Sequence, residues 1–232
     1  MQNYYVVIPA AGQGKRMNAG KNKQFLLIDQ IPLLIHTLRV FEEDLLCKGI
    51  VIVVNKDEEE SIRSLIKEYR IKNVIHIVVG GEERQQSVYC GLQKIEGNPI
   101  VLIHDGARPF IQLEDVHHVV KTTDAKGAAV IAVPVKDTVK LVDDNEIVQT
   151  VDRSALWSAQ TPQGFHLEEI KNAHKKAAHE GFVGTDDASL MEYLNRPVAI
   201  VEGNYENLKI TTPEDLLFAE AIIKKRKEAA NT

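Results

Sequence analysis

Short runs of apolar, mostly β-branched residues alternate with longer amphipathic stretches from the N-terminus to Pro134. YYVVI is followed by helical spacing near Pro32 to Asp44, IVIVV by Asp57 to Tyr69, VIHIVV by Glu83 to Ile95, and IVLIH by Leu113 to Asp124; AAVIAV closes the series. Strands that are apolar almost throughout must be covered on both faces, and helical crossovers between them keep them parallel. The pattern predicts an α/β fold with a doubly wound, mostly parallel sheet. Ligands of such sheets bind beyond the carboxyl ends of the strands. Those ends carry PAAGQG after the first strand, GGEER after the third and HDGARP after the fourth, so the three are expected to converge on one cleft.

After Pro134 the rhythm breaks. DTVKLV, a turn at DDNE and IVQTV read as a β-hairpin, and DRSALWSAQTPQGF follows. A hairpin protruding from a doubly wound core has two open edges, and pairing with a second copy of the chain is one way to cover them. The segment at about 136–158 is therefore expected to be a dimerisation arm; a hairpin folded back on its own domain is the alternative. Order returns with a helix from His166 to Glu180, another beginning near Thr185, the strand VAIVEG, and a helix at TTPEDLLFAEAIIKK. Thr212 as N-cap, Pro213 at the first helical position and Asp215 three residues after the cap mark the start of that last helix.

A chain of 232 residues is long enough to bury a core without staples, and residues 1–232 read as a single domain. The formal net charge of −5 disfavours broad nucleic-acid binding, so cations near the N-terminus mark a local site on an acidic protein. Cys47 and Cys90, the only cysteines, have no metal-ligand spacing with the histidines and read as incidental thiols. No cationic leader precedes a long apolar run, and no stretch approaches about 18 apolar residues, so no membrane association and a cytoplasmic location are expected.

The first strand runs into VVIPAAGQGKRMNAGKNK, where glycines let main-chain N–H groups approach a ligand and Lys15, Arg16, Lys21 and Lys23 follow at once. That combination suits a polyphosphate. It is not a P-loop: Arg16 follows Gly14-Lys15, and no glycine stands five positions before Gly14. Nor is it a dinucleotide fingerprint, because Met17 occupies the place of the third glycine; this disfavours a dehydrogenase. In HDGARP, Asp105 at a strand tip could hold a divalent cation, Mg2+ by preference, against nucleotide phosphates, or it could cap the next turn while Arg108 pairs with a nearby carboxylate. His104 reads as a satisfied core histidine. GGEERQQSV places Glu82 and Glu83 in the first turn of a helix with Ser87 one turn further in, which is either ordinary capping or a wall for a base. Thr185 followed by Asp186 and Asp187 reads as an N-cap with acids behind it rather than a metal pair. Arg153 and Trp157 have no local explanation, although Arg153 could pair with Asp152.

PAAGQGKRM, NKQF, VVGGEERQQSV, HDGARPF, VKDT, the DR before an Ala-Leu-Trp run, AQTPQGF, TDDASL and NLKITTPEDL together resemble the 2-C-methyl-D-erythritol 4-phosphate cytidylyltransferases, in the family's order and over nearly the whole chain. The resemblance implies a Rossmann-like nucleotidyltransferase fold. It also implies that CTP and the sugar-alcohol phosphate 2-C-methyl-D-erythritol 4-phosphate are joined to give 4-diphosphocytidyl-2-C-methyl-D-erythritol and pyrophosphate, a step of the non-mevalonate isoprenoid route. By position, Arg16 and Lys23 match the transition-state stabilisers. Arg153 and Lys209 match residues that position the attacking phosphate, with Thr138, Thr161 and Thr185 as lesser contacts. Ala11, Gly81, Glu82 and Ser87 match the cytidine site; Gly12, Gly14, Lys15 and Arg108 join the substrate-binding set, and Asp105 lies where a magnesium-bound triphosphate passes. The family's arm is exchanged across a homodimer, so Arg153 and Thr161 are expected to serve the partner's site. Two residues depart from the family's pattern: Asn22 where a proline is common, and Gly106 where an alanine is frequent. Ribitol 5-phosphate cytidylyltransferase is the nearest rival within the chemistry, and a non-catalytic nucleotide-binding regulator is the alternative from another class.

Overall fold

The computed structural model describes residues 2–12 and 23–230. In chain order its elements are β1 (Tyr4–Pro9), β2 (Leu27–Ile28), β3 (Ile31–Pro32), α1 (Leu33–Glu42), β4 (Cys47–Val54), α2 (Glu59–Glu68), β5 (Val74–Val79), α3 (Arg84–Leu92), β6 (Ile100–Ile103), α4 (Leu113–Lys126), β7 (Ala128–Pro134), β8 (Val139–Asp143), β9 (Glu146–Val151), β10 (Trp157–His166), α5 (Leu167–Glu180), α6 (Asp187–Tyr193), β11 (Ala199–Glu202) and α7 (Pro213–Ala230).

Among the described residues seven strands form one sheet in the order β11-β7-β10-β6-β1-β4-β5. β1 pairs in parallel with β4 on one side and β6 on the other. The chain first builds outward through β4 and β5, then returns to lay β6 against the opposite edge of β1. That reversal opens a crevice beyond the carboxyl ends of β1 and β6.

Alternate side chains of the buried strands feed two cores. Val6, Ile8, Ile50 and Ile52 pack with Leu34 and Leu38 of α1, Ile62 of α2 and Val116 and Val120 of α4. On the other face Val7, Val51, Val53 and Ile103 meet Val88 and Leu92 of α3, Ile170 of α5 and Leu190 of α6. Helices on both faces complete the expected doubly wound architecture. A third cluster, Ile28, Leu33, Ala107, Phe110, Ile210 and Ala219, seats α7 over the loop that follows β6.

The sequence pattern left β10 unread. It runs antiparallel between β7 and β6, and its register slips between Ala159 and Gln163, around the cis Thr161-Pro162 bond. A proline and a glycine in a central strand argue against pairing, yet Gly164 is required: a Cβ there would stand 2.3 Å from Thr123 Oγ1. Because β10 is antiparallel, its first half reaches the carboxyl end of the sheet, where the crevice lies.

The hairpin is present as β8 and β9, a separate two-stranded sheet closed by Asp144 and Asn145 at positive φ, the geometry of a two-residue hairpin turn. Leu141, Val142, Ile147 and Val148 on it are between 52% and 65% exposed. Asp215 accepts from the backbone N–H of Thr212 at 2.8 Å and of Thr211 at 2.7 Å, the expected N-terminal stop of α7. The expected N-cap at Thr185 is corrected: α6 begins one residue later, at Asp187, so the extended Asp186 is its cap, accepting from Ser189 N–H at 2.9 Å while the Ser189 side chain answers back in a capping box.

Candidate active site

The three strand ends converge. Pro9, Ala11 and Gly12 after β1, Gly81 to Arg84 and Ser87 after β5, and Asp105 to Ala107 after β6 line one lobe together with Lys23, Gln24 and Lys209. The lobe encloses about 610 Å³ including its mouth. A second lobe of about 580 Å³ is lined by Arg84, Asp105, Arg108, Ala159, Gln160, Thr161, Gln163, Thr185, Asp186 and Lys209. Arg84, Asp105 and Lys209 belong to both and stand at the divide. Gly14, Lys15 and Arg16, with Met17, Lys21 and Asn22, lie outside the described residues.

The first lobe owes its shape to a close approach. A Cβ on Gly80 would stand 2.5 Å from Ser87 Oγ, so only glycine lets α3 bring Ser87 against the strand end. Ser87 Oγ donates to the Gly81 carbonyl at 3.3 Å. The acids are placed differently from expectation. Glu83 is the N-cap of α3, its backbone N–H and that of Glu82 donating to Gln86 Oε1 at 3.3 and 2.9 Å, and the first helical residue is Arg84. Gly106 is also tightly placed, where a Cβ would lie 3.1 Å from Gln24 Oε1 and 3.2 Å from Ile8 Cγ2.

Asp105 is the centre of charge. Lys209 Nζ lies 2.6 Å from its Oδ2, Arg84 3.5 Å from its Oδ1, and Arg108 Nε 4.0 Å from Oδ2. Burial pushes this carboxyl up, but Arg84, Lys209 and Arg108 outweigh it and hold it well below the usual carboxylate range. The loop bearing it is braced from beneath. Asp105 N–H donates to Thr161 Oγ1 at 3.0 Å, and that hydroxyl lies 3.1 Å from His104 Nδ1. His104 Nε2 meets the Arg108 carbonyl at 3.0 Å. A carbonyl only accepts, so Nε2 carries the proton, Nδ1 accepts, and the threonine hydroxyl donates to it. Burial, partly offset by the Arg108 carbonyl, lowers the His104 pKa to about 4, consistent with this neutral tautomer. His104 is the satisfied core histidine expected of it.

Lys209 is held by lacing the segment between β11 and α7 onto that same loop. Ile210 N–H donates to the Ala107 carbonyl at 2.8 Å, Arg108 donates to the Asn207 carbonyl at 2.6 Å, and Asn207 Nδ2 donates to the Thr161 carbonyl at 2.9 Å. Arg108 thus braces the wall of the second lobe through a backbone carbonyl, and the nearby carboxylate expected as its partner is that of Asp105, 4.0 Å from its Nε.

The structure brings Ala11, Gly12, Lys23, Gly81, Glu82, Ser87, Asp105, Arg108, Thr161, Thr185 and Lys209 to the cleft. Thr138 and Arg153 line neither lobe; they flank the hairpin and are exposed, with Arg153 donating to the Lys136 carbonyl rather than pairing with Asp152. Thr161 is a correction. It belongs to β10, is buried, and gives its hydroxyl to Asp105 and His104 of its own chain, so it cannot travel with the arm to another subunit. Arg84, Gln163 and Asn207 were missed. Only Arg84 carried a signal: a cation in the first turn of a helix opposes the dipole and needs a reason to be there.

Among the described residues no group of three His, Cys, Asp or Glu side chains is placed to hold a metal. Asp105 fits a divalent ion only as a single ionised carboxylate, the mode in which Mg2+ takes its remaining ligands from substrate phosphates and water. No helix among the described residues is long and apolar enough to cross a membrane.

The cleft thus lies at a topological switch point, where sheets of this kind bind their ligands, and a lysine-bound aspartate divides it. The family model described as IspD, 2-C-methyl-D-erythritol 4-phosphate cytidylyltransferase, matches residues 4–225. The chain belongs to this cytidylyltransferase family. Proteins of that name from Bacillus licheniformis and Geobacillus thermodenitrificans are each 54% identical to it, the first over 97% of both chains and the second over 97% of this chain and 98% of its own. The crystal structure of the Thermus thermophilus cytidylyltransferase superposes with a TM-score of 0.80 at 34% identity, covering 97% of this chain and all of that one. The 4-diphosphocytidyl-2C-methyl-D-erythritol synthase of Anaerococcus prevotii gives 0.84 at 31% identity, covering 96% of each. The nucleotidyltransferase fold follows from these matches, with β10 as the antiparallel strand in an otherwise parallel sheet.

Proposed function

We propose that the chain performs its family's reaction in the two-lobed cleft, transferring a cytidylyl group from CTP to 2-C-methyl-D-erythritol 4-phosphate in the non-mevalonate isoprenoid route. The observation that carries this reading is the meeting of Lys209, Arg84 and Arg108 at Asp105, between a lobe walled by Gly81, Glu82 and Ser87 and one walled by Thr161 and Thr185. The first lobe takes the cytidine and triphosphate, the second the alcohol phosphate. An oxygen of the alcohol phosphate attacks the α-phosphorus of CTP, the bond from that phosphorus to the α,β-bridging oxygen breaks, and pyrophosphate leaves. A phosphate monoester is already ionised, so no general base is needed; repulsion between two anions is the obstacle.

Lys23, on the wall of the first lobe, takes up charge growing on the α-phosphoryl oxygens and pyrophosphate, with Arg16 and Lys15 assigned to the same task by their place in the glycine loop. Lys209 holds the attacking phosphate in line, and Ser87 beside Gly81 meets the polar edge of the base. Asp105 would hold Mg2+ only once Lys209 has turned from its Oδ2 to the alcohol phosphate, and the ion when bound supplies further neutralisation of the triphosphate. Thr138 and Arg153 reach the alcohol phosphate from the arm of a second subunit, in a homodimer whose arm exchange also covers the exposed apolar side chains of β8 and β9. The setting is cytoplasmic.

Pyrophosphate release is measured with CTP and, separately, with 2-C-methyl-D-erythritol 4-phosphate and ribitol 5-phosphate. Turnover with the first alcohol at least tenfold above the second is expected; the reverse order would replace the substrate assignment, and nucleotide binding with no release would favour a regulator.

A further inference from the structure

Arg84 joins two carboxylates that come from different parts of the fold. Its Nη1 lies 2.7 Å from Asp187 Oδ2, at the start of α6, and its Nη2 lies 3.5 Å from Asp105 Oδ1, at the end of β6. As the first residue of α3, with no acid in that turn, it stands where the helix dipole repels a cation. Asp187 is only 1% exposed, and its other oxygen faces His174 Nε2 of α5 at 3.3 Å in a geometry that completes no hydrogen bond. Among the described residues, Arg84 therefore makes the one side-chain hydrogen bond that Asp187 accepts. A buried carboxylate so placed anchors the guanidinium, because letting it swing away would strand an unpaired charge. Gln163 fixes the anchor itself, its Oε1 accepting from Asp187 N–H at 3.1 Å and Ala188 N–H at 2.9 Å.

The consequence reaches Lys209. Asp105 offers one negative charge, and Lys209 is bound to it at 2.6 Å. Were Lys209 its sole partner, the pair would be close to neutral and would attract a phosphate weakly. With Arg84 fixed on Oδ1 and Arg108 near Oδ2, two further cations share the carboxylate, so Lys209 is less fully neutralised where it stands at the divide. Resting on the cytidylyltransferase reading, we infer that Arg84, anchored by Asp187, is a positioning residue that holds Asp105 and thereby aims Lys209 at the phosphate of the attacking alcohol. A lysine cannot replace it, since a single ammonium does not span two carboxylates from opposite sides.

The test is steady-state pyrophosphate release by the full-length chain, each substrate varied in turn, for wild type, Arg84→Gln, Arg84→Lys, Asp187→Asn and the Arg84→Gln/Asp187→Asn pair, with thermal unfolding alongside. Loss of one charge-assisted hydrogen bond predicts a fall of about 10- to 100-fold in kcat/KM for the alcohol phosphate; because Arg84 also borders the first lobe, kcat/KM for CTP falls too, but by several-fold less. Arg84→Lys should fall nearly as far as Arg84→Gln, and Asp187→Asn should add less than about twofold in the Arg84→Gln background. Multiplying losses in the pair, equal losses for both substrates, or rescue by lysine would each overturn the inference. Calorimetric binding of the alcohol phosphate to the same variants reads the coupling without turnover. A wild type that binds the alcohol phosphate but releases no pyrophosphate counts against the functional reading alone, while the binding losses still decide the inference.

Discussion

Thr161→Val separates a brace from a substrate contact. Valine keeps the shape and removes the hydroxyl, leaving Asp105 N–H without its acceptor and His104 Nδ1 without its donor. His104 cannot recover by changing tautomer, because Nε2 must keep its proton for the Arg108 carbonyl. Each stranded buried group costs about 1–3 kcal/mol, and water entering from the cleft can relieve the outer one, so the expected loss is about 2–4 kcal/mol. Thr161→Ser keeps both bonds and gives up one methyl, a loss of about 1 kcal/mol. Urea unfolding followed by circular dichroism reads the difference as a shift in midpoint at constant slope. If valine cost less than about 0.5 kcal/mol, or serine as much as valine, the hydroxyl would not be bracing the loop and its assignment here would be wrong.

Lys23→Ala should lower kcat by about 10²–10³, as loss of one oxyanion donor does, and a value within twofold of wild type would remove Lys23 from the reaction. Arg153→Ala should raise KM for the alcohol phosphate far more than for CTP, and mixing its protomers with Lys23→Ala protomers should restore part of the activity; verified mixed dimers without recovery would place the site within one chain. Stability should fall between pH 6.5 and about 4, because His104 stays neutral in the fold while the unfolded chain takes up a proton below 6.5. The loss from this group reaches about 3 kcal/mol over that window. It adds to that from His36, which burial also lowers. His104→Gln should flatten the slope, and an unchanged slope would assign it elsewhere.

The parallel half of the sheet was legible because its strands are apolar on both faces and its crossovers have helical period. The cleft was legible for the same reason, since Gly81, Asp105 and Gly12 all follow strands directly. β10 was not, because its small residues, Pro162 and Gly164 carry no strand signal, and the fit of Gly164 depends on Thr123 and Leu102 from elsewhere. That omission misplaced Thr161, which looks like the tail of the arm in sequence and is a central strand residue in space. Asp187 was read as an ordinary acid of a first turn; its burial and its hold on Arg84 arise from tertiary contacts across 103 positions, which no local pattern encodes.

The most direct test of the central claim is a crystal structure with CTP and 2-C-methyl-D-erythritol 4-phosphate bound to an inactive Lys23→Ala variant. The base should lie against Gly81 and Ser87, with the alcohol phosphate within hydrogen-bonding reach of Lys209 and beside Thr185. Two ligands bound apart, or a phosphate that leaves Lys209 on Asp105 and seats elsewhere, would contradict the claim that these cations bring the two anions together.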